Sequence, residues 1–314
     1  MNSYINNKII REKLSNLNGK TILITGANGM LGSALADILA WNLSDANIIA
    51  LNHDQLDVTD RNSVLKFSFG PIDLILHCAA KVDAEYCEIN PKICRDVIID
   101  GTRNLIDLAK LTKAKIFYPQ SFLIFDGQDL PIAEETKPSP LCVYGRCKLE
   151  AERLIIKRLP NHLIVRLAGF FGGYQKDKNF VGKFIPHLAK IMNENKTFQE
   201  VGDRVWQPTY TYDLAYNCLV LLAEGKKGIY NMAGQGECSF YELACEIVKY
   251  LGISNRIKII KVSADKFARK ESAKRPLKAT IVNKRLRDEG LDLQRFWQES
   301  LKEYLNHEYF KKLF

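Results

Sequence analysis

Three groups of residues in this chain are spaced so that they can do chemistry together. Tyr144-Gly-Arg-Cys-Lys148 sets a phenol and an amine at i and i+4, on one face of a predicted helix. A free tyrosine ionises near pH 10, too high for proton exchange at neutral pH. An adjacent ammonium stabilises the phenolate, and a shift of about 3 units corresponds to roughly 4 kcal/mol. Ser121 follows a predicted strand, where a hydroxyl can hydrogen-bond and orient a carbonyl or alcohol oxygen; the bland alternative is a serine capping a turn. Upstream, Gly26-Ala-Asn28-Gly29-Met30-Leu31-Gly32 reads G-x-x-G-x-x-G. Glycine is needed there for the turn and for the approach of backbone to a pyrophosphate, and a helix N-terminus offers free N–H groups to phosphates. A Tyr and a Lys four apart are commonly no more than a solvated pair. The glycine loop ahead of them reverses that reading and predicts a dinucleotide-dependent proton and hydride exchange.

The elements that must position these residues alternate. Thr21–Thr25 is a continuous apolar strand of the kind buried on both faces of a parallel sheet, and Leu31–Trp41 has helical apolar spacing. Strands are predicted at Asn47–Leu51, Asp73–His77, Ala114–Tyr118 and His162–Arg166. Helices are predicted at Val143–Arg158 and over a long stretch Pro91–Lys113 with Ile93, Val97, Ile98, Leu105 and Leu108 on its apolar face. This rhythm predicts an α/β fold with a doubly wound parallel sheet. Beyond Gly169 it breaks into helices near 179–194, 213–224 and 239–252 and short strands such as Gly228–Met232. The expected organisation is an N-terminal extension over 1–18, a dinucleotide-binding domain over 19–168, and a smaller substrate-binding lobe over 169–314. Within that lobe, about 206–232 is expected to return to the first domain.

Composition narrows the function classes. The chain has 314 residues, 46% hydrophobic and 26% charged, with net charge +9. It has no apolar run long enough to cross a bilayer and no signal-peptide pattern, so a cytoplasmic location without membrane partners is expected. Eight cysteines and five histidines fall in no metal-ligand spacing, so no metal is expected. Between Ser254 and Gly290 stand twelve Lys and Arg against four Asp and Glu. With little aromatic interleaving, that segment reads as a solvated face or a lobe meeting a diphosphate, not as a nucleic-acid surface. Asn52, at the end of the second strand, neither repels nor attracts a ribose 2′-phosphate, which leaves NAD and NADP both open.

In order and spacing these features resemble the extended short-chain dehydrogenase/reductases, and within them the dTDP-4-dehydrorhamnose reductases. The resemblance runs from about Lys20 to Leu291. Its motifs are Ile22–Gly32, Leu56–Asp60, His77–Ala80, Gly101–Leu105, Phe125–Gly127, Pro140–Lys148, Asn179–Val181, Pro208–Ala215, Gly228–Tyr230 and Lys274–Pro276. It implies a Rossmann domain with a C-terminal nucleotide-sugar lobe. Asp57 and Val58 would then lie by the adenine, and Ala79 and Ala80 along the cofactor. Ser121, Tyr144 and Lys148 match the family's catalytic hydroxyl, Tyr and Lys. Hydride would pass to C4 of a 4-keto-6-deoxy sugar while Tyr144 protonates the oxygen. Phe122, Asn179, Trp206 and Arg275 would face the nucleotide sugar, and a homodimer is compatible with the resemblance. The chain departs from the family at Phe122, where Asp is usual, at His77 for Asn, at Lys81 for an aromatic, and at Trp206 for a small residue. The rival readings are a nucleotide-sugar epimerase and a non-catalytic regulatory subunit of the same fold. Dehydration is disfavoured because Phe122 and Leu123 replace the acid/base pair it needs.

Overall fold

The computed structural model describes Tyr4 and residues 7–314. The chain runs α1 (Lys8–Leu14), β1 (Thr21–Thr25), α2 (Met30–Asn42), β2 (Asn47–Leu51), α3 (Arg61–Leu65), β3 (Leu74–His77), α4 (Ala84–Ile89), α5 (Pro91–Arg95), α6 (Gly101–Thr112), β4 (Lys115–Ser121), α7 (Val143–Arg158) and β5 (His162–Leu167). It continues with β6 (Phe170–Phe171), α8 (Phe180–Asn193), β7 (Phe198–Gly202), β8 (Val205–Trp206), β9 (Thr209–Tyr210), α9 (Thr211–Ala223), β10 (Gly228–Met232), β11 (Cys238–Ser239), α10 (Phe240–Tyr250) and β12 (Lys258–Val262). Six strands form one parallel sheet in the order β2-β1-β3-β4-β5-β10. Strand order reverses between β1 and β3, and ligands of open α/β sheets bind in the crevice beyond the carboxyl ends at such a point.

The alternation of side chains along each strand builds two cores. Ile22 and Ile24 of β1 point to the face covered by α2 and α9, together with Leu76, Phe117 and Val165. Leu23 points the other way, joining Ile75, Ile116, Tyr118 and Ile164 under α6 and α7. Ile10, Leu14 and Leu17 of the N-terminal segment are buried in the first of these cores. The α9 helix belongs to the same core, and β10 pairs with β5. Trp206, by contrast, lies in β8, antiparallel to β11. A third core joins α8 and α10 to the helix Trp297–Leu305.

Over Pro91–Lys113 the structure keeps the expected helical stretch and corrects its apolar face. The segment is α5, a π turn at Asp96–Asp100, and α6. A π turn adds a residue to the local register. Positions before it are therefore rotated off the face that Ile98, Leu105 and Leu108 bury. Ile93 is 41% exposed and Cys94 takes the inward position instead.

At the carboxyl end of β3, His77 is held in one tautomer by a chain of hydrogen bonds. Thr102 Oγ1 donates to Ile98 O (2.5 Å), so its oxygen accepts from His77 Nε2 (3.0 Å). Ala79 N donates to Thr25 Oγ1 (3.2 Å), whose hydroxyl faces His77 Nδ1 (3.2 Å). Burial, aided by the positive charge of Lys148, pushes the imidazole down to about 3. In the unfolded chain the ring takes up a proton below its ordinary value of about 6.5. Between those limits acidification stabilises the unfolded state. Relative to His77→Asn, the parent protein should lose about 2 to 3 kcal/mol between pH 7 and pH 4.5. Urea unfolding of both proteins at the two pH values checks this; parallel losses would show that His77 is not held neutral.

Candidate active site

The glycine loop sits where β1 ends and α2 begins, and its three glycines face different surroundings. Gly26 has φ +67°, and a Cβ there would come 2.7 Å from Ala79 N. A Cβ on Gly32 would come 2.4 Å from Gly26 O. Both are glycine because protein backbone fills the space. Gly29 is the N-cap of α2, is exposed, and a Cβ would meet only Gly26 O at 3.2 Å. Asn28 is exposed and Met30 half-buried, while Leu31 is in the core. No acidic residue stands in the first turn of α2. The outer side of the loop is thus open, lined by N–H groups and free of negative charge, which fits a dinucleotide pyrophosphate.

The other expected cofactor residues follow the ends of β3 and β2. Ala79 and Ala80 follow β3, half-buried, with Ala79 against Gly26. Past β2, Asn52 and Gln55 bond each other's backbone N–H (both 3.0 Å). Asp57 accepts from Thr59 N and Oγ1 (2.9 and 2.8 Å), and buried Val58 fills the space beside Gly101.

Ser121, Tyr144 and Lys148 come together at the end of β4 and the first turns of α7. Ser121 Oγ accepts from Leu123 N (3.2 Å), capping a short turn, and the half-buried side chain lies within reach of the Tyr144 phenol. Tyr144 and Lys148 are both buried. Here the structure corrects the expected phenolate pairing. Burial pushes the Tyr144 phenol above its ordinary value, opposed by the Ser121 hydrogen bond. Lys148 Nζ donates to Pro119 O (2.6 Å) and lies 3.7 Å over the Tyr118 ring. Burial lowers Lys148 to about 7, opposed by nearby groups that include the Glu152 carboxylate. Burial dominates at Tyr144, so the tyrosine stays a phenol.

The residues expected to face a substrate divide. Phe122 and Trp206 both approach Gly169, where a Cβ would lie 2.5 Å from Trp206 Cε3 and 3.7 Å from Phe122 Cε1. The buried Trp206 indole N–H has no partner among the described residues. Asn179 reaches from the start of α8 to Phe170 O (2.6 Å) and to Met30 Sδ (3.8 Å), tying the later elements to the glycine loop. Arg275 is instead engaged by Glu85 (2.6 Å) and Glu271 (3.4 Å). Arg204, which sequence reading missed, makes a two-pronged pair with Glu271 (2.9 and 2.8 Å). Both line a cavity of ≈ 280 Å³ walled by Phe180, Phe184, Phe240 and Phe267. The Trp206 and Phe240 rings pack at 5.0 Å with a 32° tilt, so an aromatic run leads from Trp206 into this cavity. Gly169, two positions after β5, reads in the sequence only as the point where the strand–helix rhythm breaks. Arg204 and Glu271, 67 positions apart, leave no sequence signal.

A family model described as the RmlD substrate binding domain matches residues 20–310. The chain belongs to this family. A dTDP-4-dehydrorhamnose reductase of Aggregatibacter actinomycetemcomitans is 30% identical over 236 residues, 72% of this chain and 77% of that protein. The structure of a dTDP-4-dehydrorhamnose reductase from Bacillus anthracis in complex with NADP aligns with a TM-score of 0.82 at 26% identity, covering 91% of this chain and 98% of that one. The methionine adenosyltransferase 2 subunit beta of Bos taurus is 27% identical over 252 residues, 76% of this chain and 74% of that protein. Membership of the RmlD family agrees with the parallel sheet, the glycine loop and the hydroxyl pair described above.

Because Gly29 alone of the three loop glycines opens outward, substitutions should separate binding from folding. Gly29→Val is expected to keep its melting temperature within a few degrees and lose NADPH binding in calorimetry. Gly32→Ala is expected to lose stability. Unchanged NADPH affinity in a folded Gly29→Val protein would remove the loop from the binding site.

Proposed function

We propose that the protein reduces the 4-keto group of a nucleotide-activated 6-deoxy sugar, using NAD(P)H. The observation that carries this reading is the meeting of half-buried Ser121 with buried Tyr144 and Lys148, at the carboxyl edge of the sheet that also ends in the glycine loop. The RmlD family membership and the reductase relatives support it.

The loop from Gly26 to Gly32 would hold the dinucleotide pyrophosphate, with Ala79 and Ala80 alongside and Asn52, Asp57 and Val58 toward the adenosine end. Bound there, the dinucleotide supplies hydride to the sugar carbonyl carbon. Tyr144 gives its proton to the carbonyl oxygen, and Ser121 orients that oxygen. Reduction consumes a phenol, and burial keeps Tyr144 in that form at neutral pH. The phenolate left behind forms close to the buried ammonium of Lys148, whose positive charge lowers its cost. Phe122 and Trp206 give the sugar an apolar wall suited to a face that has lost hydroxyl groups. The indole N–H remains for one sugar or phosphate oxygen. The aromatic cavity with Arg204 would take the nucleotide.

The likeness to a methionine adenosyltransferase subunit favours a second reading, a regulatory protein that binds dinucleotide without turnover. Tyr144→Phe separates the two. It removes one oxygen and leaves the ring's packing, so NADPH affinity should stay within a few-fold. Turnover of dTDP-4-keto-6-deoxy-D-glucose should fall by about 10² to 10⁴, the contribution of a positioned general acid. In the parent protein the rate should decline above about pH 7 as Lys148 loses its charge. A folded variant that reduces this sugar as fast as the parent would take Tyr144 out of the mechanism. A parent protein inactive on every 4-keto nucleotide sugar would leave the regulatory reading standing.

A further inference from the structure

Behind the hydroxyl pair lies a buried polar relay made of residues that have no part in the reaction described so far. Gln120, next to Ser121 on β4, accepts from Ser121 N at its Oε1 (2.8 Å). Its Nε2 donates to Lys148 O (2.9 Å) and to Glu152 Oε2 (2.9 Å). One side chain thus grips the backbone of two site residues, on a strand and on a helix. Its amide is fixed in direction, because a flip would set oxygen against oxygen at Glu152 and at Lys148, and N–H against N–H at Ser121.

Glu152 is in turn held by Arg166, the residue paired with Gln120 across β4 and β5. Arg166 Nη2 donates to Glu152 Oε1 (2.7 Å) and Nε to Oε2 (3.3 Å); Nη1 donates to Glu134 O (2.8 Å). Gln120, Glu152 and Arg166 are all buried. A buried ion pair of this kind is weak evidence for stability, since desolvation offsets much of its attraction. A carboxylate oxygen that accepts from both the guanidinium and the amide does set the direction of that amide. Glu152 also stands one helical turn beyond Lys148, where its charge favours the ammonium against burial.

We infer that Gln120 is a positioning residue: oriented by the Arg166–Glu152 pair, it holds Ser121 and Lys148 at the separation that proton transfer requires. The inference rests on the reductase reading of the site. Gln120→Met keeps the length of the side chain and loses every one of these bonds. In the full-length protein it should lower kcat for dTDP-4-keto-6-deoxy-D-glucose by about tenfold to a hundredfold, the cost of misplacing reacting groups by an ångström or less. KM and calorimetric NADPH affinity should stay within about threefold, because neither the loop nor the aromatic wall is touched.

Gln120→Glu provides a second variant should the first fail to fold. It keeps the acceptor for Ser121 but regains a donor only when protonated. Its kcat relative to the parent should therefore recover as pH falls, while its NADPH affinity does not change. A folded variant with parental kcat at every pH would overturn the inference. So would a kcat loss that merely tracks loss of NADPH affinity and melting temperature, since that marks a packing role. Either result, with an active parent and an inactive Tyr144→Phe, overturns the relay alone. A parent inactive on the sugar overturns the functional reading and the relay with it.

Discussion

Enclosing a lysine in protein disfavours its charge, and the carboxyl edge of this sheet is organised around that penalty at Lys148. The Pro119 carbonyl, the face of the Tyr118 ring and the Glu152 carboxylate all act on the ammonium. Each comes from a different place: the end of β4, its middle, and the next turn of α7. Burial lowers the lysine to about 7, and neighbouring groups, Glu152 among them, oppose that shift. A group at that value carries charge through much of the neutral range and can influence the tyrosine one turn before it. The same positive charge helps to keep His77 neutral on the neighbouring strand. The position of β3 relative to α6 and the electrostatics of the site are thereby linked through the Thr25–His77–Thr102 hydrogen bonds.

Much of this framework was legible from residue order, because the signals were local. The apolar run Thr21–Thr25 and the glycines after it define β1, the turn and the start of α2. The 3.6-residue period from Val143 to Arg158 coincides with α7, and so gives the shared face of Tyr144 and Lys148. What sequence did not reveal depends on partners distant in the chain. Arg275 was expected at the substrate, but Glu85, 190 positions earlier, binds it. The Gln120–Glu152–Arg166 relay joins three elements, and none of its members stands in a pattern readable by itself. The π turn at Asp96–Asp100 escaped for another reason: a one-residue shift of register alters which face is apolar without interrupting the helical run.

The aromatic wall shows how a family scaffold accommodates a different site. Trp206 occupies the space where a side chain at position 169 would stand, and glycine is the residue that permits it. Phe122 approaches the same glycine, directly after the serine within reach of Tyr144. Between them they exchange polarity for apolar surface beside the reacting groups, while the hydroxyl pair and the lysine are kept. On the proposed function, chemistry and selectivity would be carried by separate parts of the edge: β4 and α7 on one side, and β8 with Gly169 on the other. Asn179, bonded to both Phe170 and Met30, ties that second part to the dinucleotide loop.

The account's central claim is that this edge delivers hydride to a sugar carbonyl, and isotope transfer tests it most directly. The protein is incubated with dTDP-4-keto-6-deoxy-D-glucose and with NADPH carrying deuterium on either face of nicotinamide C4, and the sugar is read by NMR and mass spectrometry. The account predicts consumption of NADPH and deuterium at sugar C4 from one labelled face only, with a proton from solvent on the new hydroxyl. Unconsumed NADPH, or deuterium at any other sugar carbon, would contradict it.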